Sequence, residues 1–192
     1  MKYNKRCDWP ASNELMIRYH DEEWGVPLHD DQKLFEFLVL DAFQAGLSWL
    51  IVLKKREAFR EAFDRFDPYV VAGYDEEKVQ ELLQNPGIIR NKLKIRAAIT
   101  NAQAFLRIVS KYGSFDQYIW QFTGHQTILN NWVSTADIPA RSPESDSMAK
   151  ALTAEGFKFV GSTICYAFMQ AAGMVNDHLI SCELHPIHSP KD

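Results

Sequence analysis

Apolar residues recur along this chain with the period of an α-helix, and the alternating patterns of β-strands are almost absent. One apolar face follows Asp30 and is made of residues at helical spacing, namely Leu34, Phe35, Leu38, Val39, Ala42 and Phe43. A second face runs through residues 91–112, which contain neither Gly nor Pro, and residues 159–172 are mostly apolar. This last segment is suited to a buried core helix. The patterns together predict an all-α protein.

The segment 123–147 is rich in Ser, Thr, Asn and Pro, and it interrupts the helical pattern. It is either a linker between two domains or a long connection within one body. The length of 192 residues allows both arrangements. We expect a single compact unit over residues 1–192, either one body or two interlocked helical lobes, because the metal ligands described next would tie its ends together.

Two cysteines and two histidines near the two ends of the chain form a candidate metal site. Cys7 and His20 lie near the N-terminus, and His178 and Cys182 lie near the C-terminus at a spacing that shares one face if the segment is a helix. Two Cys and two His make the tetrahedral ligand set of structural zinc, with no position left for water. The alternative is a pair of buried cysteines and two unrelated surface histidines.

The cellular compartment is suggested by the cysteine count and by the apolar segments. Three cysteines, an odd number, do not form a disulfide framework, which favours a reduced environment. The basic N-terminus is not followed by the apolar stretch of a secretory signal. Residues 159–172 are shorter than the roughly 18 residues that a membrane span needs. We therefore expect a cytoplasmic protein without membrane contact, and nothing in the sequence requires more than a monomer.

The charges are unevenly distributed, although the net charge of −4 at first argues against a nucleic-acid partner. Residues 82–115 contain six basic and no acidic side chains. A Pro-Gly turn, Pro86-Gly87, lies within this run, and backbone N–H groups at such a turn can bind a phosphate. The alternative is an ordinary turn beside a solvated helix face. A second basic cluster at residues 54–56 is expected to be a solvated face.

An aromatic pocket with a carboxylate is suggested by Tyr19, Trp24 and Trp49 together with Asp41. Asp41 ends an apolar run, where an unpaired carboxylate would be costly to bury. A carboxylate beside aromatic faces suits a cationic planar ligand. The alternative is that Asp41 caps a following helix and that the tryptophans belong to the core.

Four motifs of this chain resemble the type I 3-methyladenine DNA glycosylases. They are YHDEEWGVP at 19–27, QAGLSW at 44–49, GIIR at 87–90, and GFKFVG at 156–161 followed by ICY at 164–166. The motifs occur in the order of the family and span essentially the whole chain. The resemblance implies the helix-hairpin-helix DNA glycosylase fold, with the hairpin at residues 85–92 binding the DNA backbone.

The resemblance also implies a function and the residues that carry it. It implies a glycosylase that extrudes 3-methyladenine from alkylated double-stranded DNA and hydrolyses its glycosidic bond, with Asp41 and Tyr19 as the catalytic residues. Base contacts fall to Trp49, Trp9 and Trp24, and Gln44 and Leu47 are expected to fill the gap in the duplex. Backbone contacts fall to Gly87, Ile88, Ile89, Arg90 and Lys92, and one structural Zn²⁺ to Cys7, His20, His178 and Cys182.

Two positions depart from related patterns. The family usually has Glu where this chain has Asp41, so the shorter side chain reaches the base either directly or through a water molecule. Bifunctional relatives in the wider superfamily use a hairpin lysine as nucleophile, and that position here is Asn91. We therefore predict a monofunctional enzyme without strand cleavage. A non-catalytic DNA- or nucleotide-binding module and a zinc hydrolase are the alternatives.

Overall fold

The computed structural model describes residues 5–188, and this part of the chain is mostly helical. Its helices are α1 (Glu14–Glu22), α2 (Asp31–Gln44), α3 (Trp49–Ala62), α4 (Pro68–Val71), α5 (Glu76–Gln84), α6 (Lys92–Tyr112), α7 (Phe115–Trp120), α8 (Pro143–Ala154) and α9 (Ser162–Ala171). Single 3₁₀ turns occur at Asp64–Phe66, Gln121–Thr123, Thr135–Asp137 and Pro186–His188. The helical periodicity of the sequence thus predicts the architecture correctly.

Most of these helices begin at a polar side chain that accepts a backbone N–H from the first turn. The capping residues are Asn13, Asp30, Asp67, Asp75, Asn91, Ser114 and Ser142. Such a cap satisfies an N–H group that has no partner within the helix, and it fixes where the helix begins. The long α6 begins in this way directly after the Pro-Gly turn, because the Asn91 side chain accepts from the amides of Leu93 and Lys94.

Helix α2 forms the centre of the structure. Every residue from Leu34 to Phe43 is buried, so the helix is enclosed on all sides rather than on one apolar face. It packs against α3, α6, α7 and α9. The buried side chains around it form one continuous cluster that extends from Cys7 to Cys182. Asp41, in the last turn of α2, is thereby placed inside the protein.

The structure differs from the sequence prediction in three segments. Two short parallel strands, β1 (Ile128–Leu129) and β2 (Val175–Asn176), pair within an otherwise helical fold. The irregular segment ends earlier than expected, since α8 begins at Pro143. The core helix α9 begins at Ser162 instead of residue 159, because Phe159 has a φ of 56° that a helix does not allow.

The chain after α1 packs directly on the end of α9. The Gly25 amide donates to the carbonyl of Gln170, and the Leu28 amide donates to that of Ala172. A Cβ at Gly173 would lie 2.2 Å from the carbonyl carbon of Val26, and Gly173 has a φ of 65°. Only glycine fits this approach without strain. The contact holds the 19–27 motif against α9.

Within residues 5–188, no helix combines the length and the apolar character needed to cross a membrane.

Candidate active site and metal centre

A cavity of about 300 Å³ lies between α1, α2, α3 and α9. It is lined by Trp9, Met16, Tyr19, Trp24, Asp41, Gln44, Trp49, Thr135, Ile138, Ala167 and Gln170. Six of the seven residues predicted to act on a base therefore line one cavity. The seventh, Leu47, is 40% exposed on the turn between α2 and α3.

Aromatic rings form much of the cavity wall. The ring centroids of Tyr19 and Trp49 are 5.2 Å apart, and those of Trp9 and Trp24 are 5.1 Å apart. Trp9 also meets Tyr19 edge-on at 6.2 Å. These contacts fix the orientation of the rings, and their faces present the negative potential that attracts a planar cation.

Asp41 is a buried carboxyl group in this aromatic wall. It is 2% exposed, and its Oδ2 has no hydrogen-bond partner in the described part of the protein. Burial raises the pKa of Asp41 well above its usual range, and the positive charge of Arg56 offsets this only in part. An ionised Asp41 therefore lacks the stabilisation that a cationic ligand would supply. Asp41 lies within α2, so the alternative that it caps a following helix is wrong.

Three further buried polar atoms lack a hydrogen-bond partner among residues 5–188. They are Trp9 Nε1, Trp49 Nε1 and Thr135 Oγ1, and their residues line the same cavity as Asp41. Buried polar groups in native proteins are nearly always paired, so four such atoms around one cavity mark it as a site that can bind a polar ligand. The geometry is that of a binding site for a flat ligand with hydrogen-bonding edges.

Tyr19 lies deep in the cavity wall and is 5% exposed. Burial and the charge of Asp41 raise the pKa of Tyr19 well above its usual range. Its hydroxyl therefore stays protonated and can donate a hydrogen bond. Tyr19 also lines a larger cavity of about 510 Å³. That larger cavity is lined by ion pairs, including Arg18 with Glu22 and Arg56 with Glu23, and not by an aromatic wall with a buried carboxyl group.

Arg56 stands behind Tyr19 in a buried ion-pair network. Its guanidinium donates to Glu36 Oε1 at 2.6 Å and to Glu23 Oε2 at 2.7 Å. With an exposed fraction of 9%, Arg56 is not part of a solvated face, and the expectation for residues 54–56 is wrong at this position. It is also wrong at Lys55, whose ammonium binds the carbonyl oxygens of Pro86 and Gly87.

The four predicted metal ligands meet in the interior. The ligand atoms of Cys7, His20, His178 and Cys182 lie within 4.8 Å of one another, and all four residues are buried. Cys182 Sγ is 3.7 Å from His20 Nε2 and 3.6 Å from His178 Nδ1, and Cys7 Sγ is 3.8 Å from His178 Nδ1. Tetrahedral zinc separates sulfur and nitrogen ligands by about 3.6 Å. The donor set fits such an ion.

The surroundings of the cluster orient its ligands. His20 Nδ1 pairs with Asp21, which Arg6 holds in turn, and His178 Nε2 contacts the carbonyl oxygen of Trp24. The nitrogens that face the cluster are thus left free to bind a metal, an arrangement common around protein zinc sites. A hydrogen bond between the two thiols raises the pKa of Cys7 and lowers that of Cys182.

The positions of His178 and Cys182 correct one expectation. They lie in irregular chain after β2 and not on a helix. The cluster forms because the two ends of the chain fold against each other.

The Pro-Gly turn joins α5 to α6 and forms a helical hairpin. Its amides are partly occupied, since the Gly87 amide donates to Asn85 Oδ1 and the Leu93 amide donates to Asn91 Oδ1. Ile88 is buried, with an exposed fraction of 2%, and it anchors the turn in the core. Ile89 is half-buried, and Arg90 and Lys92 are exposed.

The basic run from 82 to 115 is not one open cationic surface. Lys94 is buried, and its ammonium donates to the carbonyl oxygens of Phe43 and Ala45. Arg96 pairs with Glu76 at 2.6 Å, and Arg107 donates to the carbonyl of Glu155. These three side chains are therefore engaged within the protein, and phosphate binding at the Pro-Gly turn stays a prediction. The hairpin turn itself keeps Arg90 and Lys92 near its exposed edge.

A sequence profile for methyladenine glycosylase matches residues 9–185 of this chain, which include every residue that lines the aromatic cavity. This chain belongs to the methyladenine glycosylase family.

Relatives of this chain match it over nearly their whole length. DNA-3-methyladenine glycosylase 1 of Escherichia coli (strain K12) is 48% identical over 186 residues, which cover 97% of this chain and 100% of that protein. A crystal structure of 3-methyladenine DNA glycosylase I superposes with a TM-score of 0.93 at 52% identity, covering 95% of this chain and 100% of the other. A variant of 3-methyladenine DNA glycosylase I in complex with 3-methyladenine gives a TM-score of 0.92 at 33% identity, with coverages of 96% and 99%.

Sequence reasoning missed part of the cavity wall. The missed residues are Met16, Thr135, Ile138, Ala167 and Gln170. Gln170 interrupts the apolar run of α9, and this polar residue was the one available signal. Thr135 and Ile138 lie in the irregular segment, where no periodicity could have indicated that the chain returns to the cavity.

Proposed function

We propose that this chain is a DNA glycosylase that extrudes 3-methyladenine from alkylated double-stranded DNA and hydrolyses the bond to its sugar. The observation that carries the proposal is the buried carboxyl of Asp41 in an aromatic cavity, whose Oδ2 has no hydrogen-bond partner within residues 5–188. A base must leave the stack before its glycosidic bond can be reached, and the cavity provides the receiving site. The relatives named above support the same substrate.

The charge of the substrate explains the composition of the cavity. Methylation at N3 makes adenine cationic within DNA and weakens its bond to deoxyribose. The cation is attracted to the faces of Trp49, Trp9 and Trp24, and it lowers the cost of ionising Asp41. Unmodified adenine is neutral and lacks this charge. Selection therefore follows from the charge of the damaged base.

The reaction we propose is simple hydrolysis. Asp41 and Tyr19 hold the base, the glycosidic electron pair leaves with it, and 3-methyladenine departs as a neutral molecule. Water supplies a hydroxyl group to the sugar carbon and releases one proton. Asp41 is the only acidic residue among the described residues, 5–188, that line the cavity.

We also propose that the enzyme is monofunctional and does not cleave the strand. Asn91 occupies the hairpin position of the nucleophilic lysine, and its side chain is engaged in capping α6. Lys92 is adjacent, but its ammonium lies 3.9 Å from Glu76 on an exposed edge. A covalent step would need an amine directed at the sugar.

DNA binding is assigned to the hairpin and to the turn before α3. We propose a helix-hairpin-helix fold in which Gly87, Ile88, Ile89, Arg90 and Lys92 hold the backbone. The exposed Leu47, together with Gln44 at the cavity edge, would fill the gap left by the extruded base. Double-stranded DNA with alkylated bases is the proposed partner of a monomer without membrane contact.

We infer that Cys7, His20, His178 and Cys182 hold a single structural zinc ion. Buried donors at tetrahedral spacing, with oriented rings, support this inference. When bound, the ion crosslinks the two ends of the chain and takes no part in the reaction. We accordingly propose one compact unit over residues 1–192, acting in the cytoplasm.

Base release from alkylated duplex DNA tests the proposed function. The wild type should release free 3-methyladenine, and Asp41→Asn and Trp49→Ala should each lower kcat/KM by about tenfold or more. Tyr69→Ala, an exposed aromatic residue on α4, serves as the control and should retain full activity. Absence of free 3-methyladenine with wild type would leave a DNA-binding module as the better description. Strand cleavage, or an adduct trapped by borohydride, would overturn the monofunctional assignment.

A further inference from the structure

We propose that Thr135 is a further base-contacting residue, and that its hydroxyl forms a hydrogen bond with the edge of the extruded purine. The inference rests on the proposed function, because it concerns the same cavity. It also assigns a role to the irregular segment between α7 and α8, which carries none of the motifs of the family resemblance.

The position of Thr135 brings this distant segment to the cavity. Thr135 opens the 3₁₀ turn Thr135–Asp137, and it lines the cavity together with Ile138. The other lining residues come from the N-terminal segment, from α1 and the turn after it, and from α2, α3 and α9. The segment therefore adds a wall that the helices do not provide.

The hydroxyl of Thr135 is the reason for assigning it a ligand. Its Oγ1 is buried and has no hydrogen-bond partner in the part of the chain that the structure describes. Other threonine hydroxyls here do find partners, since Thr100 donates to the carbonyl of Arg96 and Thr127 donates to that of Gly173. A buried hydroxyl without a hydrogen-bond partner lowers the stability of the folded protein. A polar group of a bound ligand would supply that partner.

The turn that carries Thr135 is held in place on both sides. Ser134 and Asp137 form a reciprocal capping box around it. Upstream, Asn130 and Trp132 donate to Asp177 at 2.7 Å, which attaches the segment to the chain that leads into the metal cluster. A hydroxyl on such a fixed turn does not have to be ordered when a ligand binds.

The chemistry of the hydroxyl complements the other polar groups of the cavity. The indole N–H groups of Trp9 and Trp49 only donate, and an ionised Asp41 only accepts. A hydroxyl can do either, and a purine edge carries both an amino group and ring nitrogens. Thr135 thus supplies a second fixed polar contact besides Asp41, and it favours a base with a polar edge over a flat cation without one.

Binding of free 3-methyladenine, measured by calorimetry, tests this assignment without requiring turnover. Thr135→Val removes the hydroxyl at nearly constant shape, and it should weaken binding by about three- to tenfold. Thr135→Ser keeps the hydroxyl and should bind within about twofold of wild type. Thr100→Val, which removes a hydroxyl bonded on the surface of α6, is the matched control and should bind as wild type does.

Thermal unfolding of the same variants separates a ligand contact from a packing role. Because the Thr135 hydroxyl has no hydrogen-bond partner among residues 5–188, Thr135→Val should unfold at the same temperature as wild type or higher. If wild type binds 3-methyladenine and Thr135→Val binds it equally well, the inference is overturned and the proposed function is left intact. Lower affinity with a lower melting temperature, not restored by Ser, would assign Thr135 to packing and also overturn it. A wild type that neither binds nor releases 3-methyladenine would overturn both.

Discussion

The ammonium of Lys94 lies 2.6 Å from the carbonyl oxygen of Ala45, so the first turn of α6 is attached to the end of α2. The same ammonium donates to the carbonyl oxygen of Phe43 at 2.9 Å. Lys55 makes the complementary contact, from α3 to the carbonyl oxygens of Pro86 and Gly87 in the hairpin turn. The end of α2 at Gln44 and the turn that carries Leu47 are therefore fixed relative to the hairpin. A base held in the cavity and a phosphate held by the hairpin would keep a constant separation.

Replacing Lys94 with methionine should destabilise the protein. The carbonyl oxygens of Phe43 and Ala45 would lose a charged donor in a site where Lys94 is 7% exposed. We expect Lys94→Met to lower the free energy of unfolding by about 1–3 kcal/mol, measured in urea. Lys92→Met, two residues earlier on an exposed edge, should change it by less than about 0.5 kcal/mol. Equal stability of the two variants would mean that the contacts of Lys94 with the end of α2 do not stabilise the protein.

The helices were predictable because the sequence signals that define them lie close together along the chain. The apolar period of residues 34–43 and the cap residues are legible in short windows of sequence, and the structure places helices accordingly. The residues that would handle the base were identified from motifs, and six of them line one cavity.

The contacts of the charged and polar groups were not predictable, because they depend on tertiary proximity. Lys94 binds a carbonyl 51 positions away, and nothing in its neighbourhood along the chain distinguishes it from the exposed Lys92. Thr135 likewise reaches the cavity on a segment that Asn130 and Trp132 attach to the distant Asp177. The same reason explains why an acid-free run need not be a cationic surface, since its partners come from other helices.

The stability of the free protein should depend on the ionisation of Asp41. Its pKa is raised from the ordinary value of 3.8, so above this value the unfolded chain releases a proton that the native state retains. The free energy of unfolding therefore falls as the pH rises from 3.8 towards the raised native pKa. Asp41→Asn removes this ionisation and should be more stable than wild type near neutral pH.

Urea unfolding from about pH 4 to about pH 8 measures this difference. The advantage of Asp41→Asn should shrink as the pH is lowered, whereas Asp146→Asn, an exposed position on α8, should follow the wild-type curve. A stability difference that does not vary with pH would contradict the proposed origin in Asp41.

Removal of the proposed zinc should loosen the structure, because the cluster joins the two ends of the chain. We expect the purified protein to contain zinc, and prolonged chelation should lower the melting temperature. Cys7→Ser should lose the metal and be destabilised, while Cys165→Ala should keep it, since Cys165 bonds the carbonyl of Val160 away from the cluster. Elemental analysis and thermal unfolding report the two effects. Loss of activity with unchanged stability would instead indicate a catalytic metal.

The affinity for DNA should depend only weakly on salt concentration, although the chain has a long basic run at residues 82–115. Lys94, Arg96 and Arg107 are engaged within the protein, so few cations remain at the hairpin to displace counterions. Two or three phosphate contacts would give a slope of log K against log salt of roughly −2 to −3. Arg90→Ala should reduce the magnitude of that slope by about 1.

Titration of binding to duplex DNA at several salt concentrations measures this slope. Arg18→Ala removes an exposed arginine on α1 that pairs with Glu22, and it should leave the slope unchanged. A slope much steeper than −3, which Arg90→Ala does not alter, would mean that phosphates are held by cations outside the hairpin. A shallow slope whose magnitude falls in Arg90→Ala would mean that the hairpin supplies most of the contacts to the DNA backbone. Discrimination would then come from the cavity, where a cationic base meets Asp41 and an acidic net charge is no obstacle.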